Sequence, residues 1–452
     1  MKIRSGDLLL IIIGAVIFML FALYNGFPIV MHGDTSVYLT SGFEFRVPHE
    51  RPIFYGLFIW LFSFGFTIWP AIFFQCLLLS YLCVRFIRSI VPTINNQHLV
   101  ALIILVALAT ISSWYAGQIM PDIFTPILFL STYIYLTQDN TRSEKIILVA
   151  IILLATLVHN SHYVISTAFI LLIIGLSLTK QYRLTSIKQK CFTLILANLI
   201  AWSCLLSSNY FAGNGFVSAR ASHVFLMGKL AESGVLKTYL EKACPTRQYK
   251  ICQYKDNIPP VAWEFVWDTE KSPVFKVGGW DSTKSEYNTI INDILSRPKY
   301  WPFLVYKSVE ATMRQVILLN IDEAEELPWR KFDRESDMYV TIAKYYPHEI
   351  NEFEVSRQNY KTFNLPFYDH VYVIVILLSS IVCLLITKGE ERKKVWAVYW
   401  LVLAYIFINA FVTATFGNVL SRLNSRTIWL LPMTNIIFIY RYYSNKLSNS
   451  MQ

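Results

Sequence analysis

The chain has 452 residues, of which 55% are hydrophobic and 15% are charged. Soluble domains carry about 25% charged residues on average, so this composition excludes an ordinary soluble protein and predicts a polytopic membrane protein. The net charge of +10 does not indicate nucleic-acid binding, because residues 211–370 hold 20 Lys/Arg against 21 Asp/Glu and most of the surplus lies in short loops between apolar runs.

Those basic loops predict the topology, since Lys and Arg accumulate on the cytoplasmic side of a membrane. An even number of crossings must separate consecutive cytoplasmic clusters. We place six clusters there: Lys2/Arg4, Arg85/Arg88, Arg142/Lys145, Lys180/Arg183/Lys188/Lys190, Lys388/Arg392/Lys393/Lys394 and Arg441/Lys446.

The first crossing in chain order is residues 7–28, which we expect to be a retained helix because no small-residue cleavage site follows it. Residues 53–69 are predicted to lie at the outer interface, and residues 70–88 return to the cytoplasm. The apolar run 146–179 is too long for one span of about 20 residues, so it predicts two short helices. The other crossings of this half are 98–117, 123–137 and 191–210.

Residues 211–370 are predicted to form one extracytoplasmic domain of mixed α/β structure, because Gly and Pro alternate there with short apolar-polar segments at 261–267 and 274–277. The apolar spacing of residues 300–320 predicts a helix packed on the membrane domain. Three further crossings follow at 371–387, 395–416 and 428–440. The predicted fold is therefore mainly α, with about ten transmembrane helices in residues 1–210 and 371–452 and both termini inside.

The seven cysteines divide into two groups. Five lie in or beside apolar helices, where cysteine usually packs as a small hydrophobic residue. Cys244 and Cys252 stand together in the 211–370 domain, and an oxidising compartment would join them in a disulfide. A metal site at this pair is not expected, because no histidine or second cysteine pair lies nearby.

Polar residues collect in the predicted outer loops, where ionisable groups at the membrane rim suggest a function. Asp34 could act as a general base or cap a helix, and Asp122 has the same two interpretations. The arginines could bind a phosphate, or pair with loop carboxylates or anionic lipids. The residues in question are Asp34, Glu44, His49, Glu50, Arg51, Asp122, His159, His162, Arg422 and Arg426.

Four short motifs stand in these loops. They are Gly33-Asp34 with Tyr38, Arg51-Pro52 with Tyr55, Met120-Pro121-Asp122, and Arg422 and Arg426 ahead of Leu431-Pro432. By their order along the chain and their shared placement on one side of the membrane, the chain resembles the GT-C superfamily of membrane glycosyltransferases, which includes protein O-mannosyltransferases and aminoarabinose transferases of lipid A.

The resemblance implies transfer of a sugar from a polyprenyl-phosphate carrier to a lipid, glycan or protein acceptor. It also implies a multispanning protein of the bacterial inner membrane with its large domain in the periplasm. Asp34 and Asp122 would be catalytic, and a divalent cation such as Mg²⁺ or Mn²⁺ could bind through carboxylate oxygens. Arg51, Arg422, Arg426 and Tyr38 would bind the donor phosphate, while His159, His162 and Glu50 would contact the acceptor or a metal.

Two other functions remain open from the sequence. A polysaccharide ligase or polymerase would also span the membrane many times and present outer-face arginines. A lipid or glycan transporter without chemistry would instead place charged or broken segments near the bilayer centre. The predicted spans are nearly free of charge and their polar groups gather at one rim, which favours an enzyme at the membrane interface.

Overall fold

The computed structural model describes residues 5–31, 33–178, 186–321, 332–360 and 362–450. Two of the predicted basic clusters, Lys2/Arg4 and the Lys180/Arg183 part of another, lie outside these ranges. Across the described residues the chain is mainly helical and has no β-strand. An isolated parallel bridge joins Ile29 and Gln118.

The N-terminal half is a series of apolar helices whose ends carry recognisable signals. Pro70 lies in the first turn of α5, Asn95 caps α6, and Thr141 and Glu144 form a capping box at the start of α9. The helices are α1 (Ser5–Phe18), α2 (Leu20–Asn25), α3 (Asp34–Phe43), α4 (Phe54–Phe62), α5 (Trp69–Ile90), α6 (Asn96–Ala109), α7 (Ser112–Ala116), α8 (Phe124–Thr137), α9 (Arg142–Leu157), α10 (Asn160–Leu178) and α11 (Ile187–Phe211).

The middle of the chain consists of shorter helices: α12 (Ser222–Glu232), α13 (Val235–Ala243), α14 (Ala262–Trp267), α15 (Pro273–Lys276), α16 (Gly279–Ser282), α17 (Lys284–Leu295), α18 (Trp301–Ile317), α19 (Asp337–Tyr345) and α20 (Ile350–Glu354). Four α-helices follow: α21 (Leu365–Ile386), α22 (Gly389–Phe416), α23 (Ser421–Ile428) and α24 (Leu430–Ser450). Short 3₁₀ helices occupy Pro121–Ile123, Lys250–Asn257, Pro298–Tyr300 and Pro347–Glu349.

Among the described residues, five helices are long and apolar enough to cross a membrane, as expected for a membrane protein. Two shorter apolar helices cover Gly6–Phe18 and Asn96–Ala109. The full count of about ten crossings stays a prediction. The five long segments are Trp69–Ile90, Asn160–Leu178, Ile187–Phe211, Leu365–Ile386 and Val395–Phe416.

The structure differs from the mixed α/β prediction for residues 211–370, because the described part of that block contains helices and no strand. The segment 261–267 is helical, with Ala262, Phe265 and Val266 buried at helical spacing. Ser272 caps the next helix and Pro273 begins it, so the short apolar alternation at 274–277 is part of a helical turn. Runs this short do not distinguish a strand from a helix by periodicity.

Two buried clusters organise the molecule. The larger one joins α1 to α11 with α21 to α24, and it also includes Phe332, Met338, Ile342 and Phe353 from the middle block. The smaller cluster is built from residues between Val224 and Tyr300. We call residues 224–300 the outer helical domain, after the extracytoplasmic position that the sequence predicts for them. Cys244 and Cys252 are disulfide-bonded beside this smaller cluster, as the sequence predicted.

Arg85 and Arg88 lie on the last turns of α5 and are buried, although the sequence placed them in a basic loop. Arg85 pairs with Glu144, while Arg88 Nη1 lies 2.6 Å from Asp7 Oδ1. These two ion pairs therefore tie the end of α5 to α1 and α9.

Candidate functional site

A close contact between two glycines brings the first motif residues together. A methyl group on Gly42 of α3 would lie 2.1 Å from the carbonyl oxygen of Gly56 on α4, so the two backbones touch where no side chain fits. Asp34 begins α3, and Arg51 precedes α4 by a few residues. The glycine contact therefore packs the last turn of α3 on the first turn of α4, close to Arg51, and Asp34 stands at the other end of the ten-residue helix α3.

Asp34 binds two arginines from opposite ends of the sequence. Arg51 Nη2 donates to Asp34 Oδ1, and Arg422 Nη1 donates to Asp34 Oδ2 over 2.8 Å. Arg51 Nε also donates to Glu50 Oε1 over 3.2 Å. The side chains of Asp34, Arg51 and Arg422 remain 17%, 16% and 15% exposed, so this cluster is shielded and still reachable.

The charges of the cluster favour the ionised forms of both Asp34 and Arg51. Burial alone would raise the pKa of Asp34, but the guanidinium groups of Arg51 and Arg422 outweigh it and hold that pKa below its usual value. Burial would likewise lower the pKa of Arg51, whereas the Asp34 carboxylate raises it. Asp34 is thus a weak base as long as both arginines face it.

Tyr38 and Tyr55 form the aromatic side of this cluster. The guanidinium carbon of Arg51 lies 5.2 Å from the centroid of the Tyr38 ring, within cation–π range. The Tyr38 and Tyr55 rings meet edge to face at 5.1 Å, and the Tyr55 hydroxyl donates to Gln75 Oε1 over 3.1 Å. Tyr38 therefore orients Arg51.

A second ion pair lies beside the first and is sealed. Arg426 Nη1 donates to Asp122 Oδ1 over 2.8 Å, and the two side chains are 0% and 2% exposed. Arg426 Nη2 also donates to Asn409 Oδ1 over 3.0 Å and to Ser161 Oγ over 3.5 Å. Asp122 Oδ2 is buried and accepts no hydrogen bond from the described residues.

The two histidines lie next to this buried pair and act differently from each other. His159 Nδ1 accepts a hydrogen bond from the Ser161 backbone N–H over 3.1 Å. Burial, and then the positive charge of Arg426, keep the pKa of His159 well below its usual value, so its ring is neutral. His162 is fully buried, with Nδ1 2.6 Å from the Ala155 carbonyl oxygen and Nε2 2.7 Å from Thr125 Oγ1, which makes it a packing residue of α10.

The alternative interpretations of the charged residues can now be compared with their contacts. Neither Asp34 nor Asp122 caps a helix with its side chain. Arg51 pairs with Glu50 as well as Asp34, whereas Glu44 binds Lys344 Nζ at 2.6 Å instead. His49 is not in the cluster either, since its Nε2 lies 3.7 Å from Asp281 in the outer helical domain.

Two further residues, Asn409 and Asn160, contact the site and were not among the predicted site residues. Asn409 lies inside the span Val395–Phe416, yet it accepts from Arg426 and donates through Nδ2 to the Leu423 carbonyl over 2.6 Å. A single amide in an apolar span is the sequence signal that points to it. Asn160 donates to the Glu50 backbone carbonyl over 2.9 Å and ties the histidine turn to the Arg51 loop.

The residues of the site do not fit a divalent cation. Each oxygen of Asp34 already accepts from an arginine, and Asp122 faces Arg426. In the part of the chain that the structure describes, no group of three or more His, Cys, Asp or Glu residues is arranged to hold a metal ion. The divalent cation that the sequence left possible therefore has no ligand set at these carboxylates among the described residues.

Comparison with known proteins adds no relative: no protein-family model, no curated protein and no solved structure matches the chain. The resemblance to GT-C enzymes rests on the motifs alone and stays a prediction. The site itself is defined by its own geometry, a reachable carboxylate between two arginines beside a sealed ion pair.

Proposed function

We propose that the chain is a membrane glycosyltransferase that moves a sugar from a polyprenyl-phosphate carrier to an acceptor hydroxyl. The convergence of Arg51 and Arg422 on Asp34 supports this proposal most directly. Guanidinium groups bind phosphate oxygens with the same two-pronged geometry that they use for carboxylates. A site that holds two of them around a reachable acid can exchange that acid for a donor phosphate.

The exchange would activate Asp34. When phosphate oxygens accept the N–H groups of Arg51 and Arg422, those cations stabilise the Asp34 carboxylate less, and the pKa of Asp34 rises from its lowered value. The carboxylate that was a weak base becomes able to take a proton. Donor binding and base activation are in this way one event.

The chemical step then follows from the positions of the charges. The acceptor oxygen attacks the anomeric carbon, and its proton passes to Asp34. The bond between the anomeric carbon and the phosphate oxygen breaks, and the electron pair leaves on that oxygen. Arg51 and Arg422 stabilise the resulting polyprenyl phosphate, since charge develops where their N–H groups point.

Arg426 has a positioning role in this proposal. It is fully buried against Asp122, and it lies one helical turn after Arg422 on α23. The Asp122–Arg426 pair therefore fixes the rotation of α23 and directs Arg422 towards Asp34. Its burial separates it from a substrate phosphate, although the sequence had grouped both arginines as donor ligands.

The test measures transfer from labelled polyprenyl-phosphate sugars in membranes that carry equal amounts of wild-type protein or Asp34→Asn. Loss of general-base help typically lowers a rate by about 10²- to 10⁴-fold, and we expect a loss of this size. Arg422→Lys keeps the charge but loses the guanidinium fork, so it should raise the KM for the donor more than it lowers kcat.

Asp281→Asn is the matched control. Asp281 is also a carboxylate that accepts from an arginine, Arg220, but it lies in the outer helical domain, so the variant should keep the wild-type rate. Undiminished product from Asp34→Asn would remove Asp34 from the mechanism. Product formed only from diphosphate-linked glycans would favour the ligase or polymerase.

A further inference from the structure

We propose that a cavity between the outer helical domain and the end of α22 binds an anionic phospholipid of the surrounding membrane. The cavity has a volume of about 250 Å³ and is lined by α12, α17, α18 and the last residues of α22. Leu226, Ile291, Leu304 and Phe416 give it an apolar wall. This inference does not depend on glycosyl transfer.

The position of the cavity places it against lipid. Phe416 both lines the cavity and ends the membrane-length segment Val395–Phe416, and its side chain is half exposed. α18 packs along α22 and leaves a row of large apolar side chains uncovered beside the cavity wall. The exposed residues of that row are Trp301, Val305, Val309, Met313 and Ile317. An uncovered apolar stripe next to a spanning helix is what a bilayer covers.

The rim of the cavity carries a surplus of positive charge. Lys229 pairs with Glu232, and Lys307 Nζ lies 2.8 Å from Glu310 Oε2. Arg314 also lines the cavity, one helical turn after Glu310, and interacts with that carboxylate through its charge. The rim therefore holds three cations against two carboxylates, and this surplus of positive charge suits it to a lipid phosphate.

The combination of an apolar wall and a positively charged rim fits a phospholipid better than a free anion. A free phosphate would need only the rim, whereas a phospholipid uses the arginine for its phosphate and the apolar wall for the first part of its chains. The Thr415 hydroxyl, buried at the cavity with no hydrogen-bond partner among the described residues, offers one more polar contact. A lipid seated there would cover both features at once.

The cavity also connects to the candidate site. Gln315 of α18 donates to the Leu420 carbonyl over 2.6 Å and accepts from the Leu420 N–H over 3.0 Å. Asn424 of α23 donates to the carbonyl oxygens of Val316 and Leu318. A lipid that holds α18 in place would thereby steady the segment that carries Arg422.

The experiment titrates the purified full-length protein in detergent with phosphatidylglycerol or phosphatidylcholine and counts bound lipid by native mass spectrometry. We expect one phosphatidylglycerol per chain to bind more tightly than phosphatidylcholine. Arg314→Gln should weaken phosphatidylglycerol binding by about tenfold, the loss typical of one charge-assisted hydrogen bond. Ala311→Leu, which fills the cavity and keeps every charge, should weaken it as well.

Lys299→Gln is the matched control, because Lys299 lies just before α18, stacks over Tyr300 and does not line the cavity. Equal phosphatidylglycerol binding by wild-type and Arg314→Gln, or no preference over phosphatidylcholine, would overturn the proposal. Displacement of the bound phosphatidylglycerol by inorganic phosphate alone would also overturn the proposal. Displacement by polyprenyl phosphate that binds through Arg314 would overturn it as well. The Asp34→Asn variant should bind phosphatidylglycerol as the wild-type protein does. The outcome of the lipid experiment is therefore independent of the outcome of the transfer assay.

Discussion

Two neighbouring ion pairs in this protein differ in exposure, and the difference separates their roles. Asp34 and its arginines keep about a sixth of their side-chain surface, while Arg426 has none. A reachable pair can exchange one partner for a ligand. A sealed pair cannot, since removal of either member leaves a charge buried without compensation.

At the residue scale we predict that Asp122→Asn destabilises the protein strongly. The change leaves Arg426 charged and fully buried, which typically costs about 3–5 kcal/mol. The measurement is the thermal unfolding midpoint of the purified protein in detergent. Arg426→Gln should lower the midpoint by a similar amount.

The double variant provides the control for this prediction. With both Asp122→Asn and Arg426→Gln present, neither charge is stranded, so the loss of stability should be smaller than the sum of the two single losses. Additive losses would mean that the residues do not act as a pair. Arg334→Gln removes an arginine from an exposed pair with Glu354 and should change the midpoint little.

At the element scale, the site depends on a backbone contact between two short helices. α3 and α4 meet at Gly42 and Gly56, where a Cβ atom on Gly56 would lie 2.2 Å from Ser41 Oγ and 2.5 Å from the Tyr38 carbonyl oxygen. Neither helix is long, but each carries or follows one member of the Asp34–Arg51 pair. The packing of the helices and the geometry of the charges are therefore coupled.

We predict that Gly42→Ala forces α3 and α4 apart and lowers both stability and transfer. Overpacking of this kind typically costs about 1–3 kcal/mol. The measurements are the thermal unfolding midpoint and the transfer rate. Gly175→Ala on α10 is the matched control, because a methyl group there meets nothing within 4 Å and alanine favours the helix. A Gly42→Ala protein as stable and active as the control would disprove the coupling.

The elements themselves could largely be predicted from the sequence, because apolar runs of helical length are a local signal. The break of the run 146–179 appears between α9 and α10, and the segment 53–69, for which an interfacial position stays a prediction, contains α4. The prediction of strands after residue 260 was wrong, because short alternating runs do not distinguish a strand from a helix. The short helices between residues 211 and 295 were accordingly missed, whereas the helix predicted at 300–320 is confirmed as α18, which packs along α22.

The site was harder to predict than the helices, because it depends on contacts between distant residues. Asp34 and Arg422 lie 388 positions apart, and nothing in either motif states that they meet. The motifs did single out both residues by type and position. They could not separate the reachable pair from the sealed one, and they missed Asn409, because burial is a property of the packed molecule.

At the scale of the whole molecule, we expect a change that destabilises one buried cluster to leave the other folded. The outer helical domain has its own apolar core around Val224, Leu236 and Ile290, with the Cys244–Cys252 disulfide at its edge. Among the described residues, its contacts with the site loops include the edge-to-face contact of the His49 and Trp280 rings, and just before the domain the Ala221 N–H donates to the His49 carbonyl over 2.9 Å. The membrane-length helices belong to the other cluster.

We predict that reduction of the disulfide loosens the outer helical domain and leaves the site helices intact. The two cysteines are 8 positions apart in sequence, and closing so short a loop stabilises a fold by about 2.6 kcal/mol in the chain-entropy model. Limited trypsin digestion should therefore become faster after treatment with a reducing agent, with the first cuts at Lys242, Arg247 and Lys250. The double variant Cys244→Ser/Cys252→Ser should reproduce this pattern without reductant.

Cys204→Ser is the control for that experiment, because Cys204 is a free cysteine in α11 and its loss breaks no bond. Its digestion should match that of the wild-type protein, with and without reductant. A first cut at Arg422 in the reduced protein would contradict the prediction, since it would show that the outer helical domain and the ion-pair site unfold together. Cuts confined to the outer helical domain mean instead that its stability can change while Asp34, Arg51 and Arg422 stay assembled.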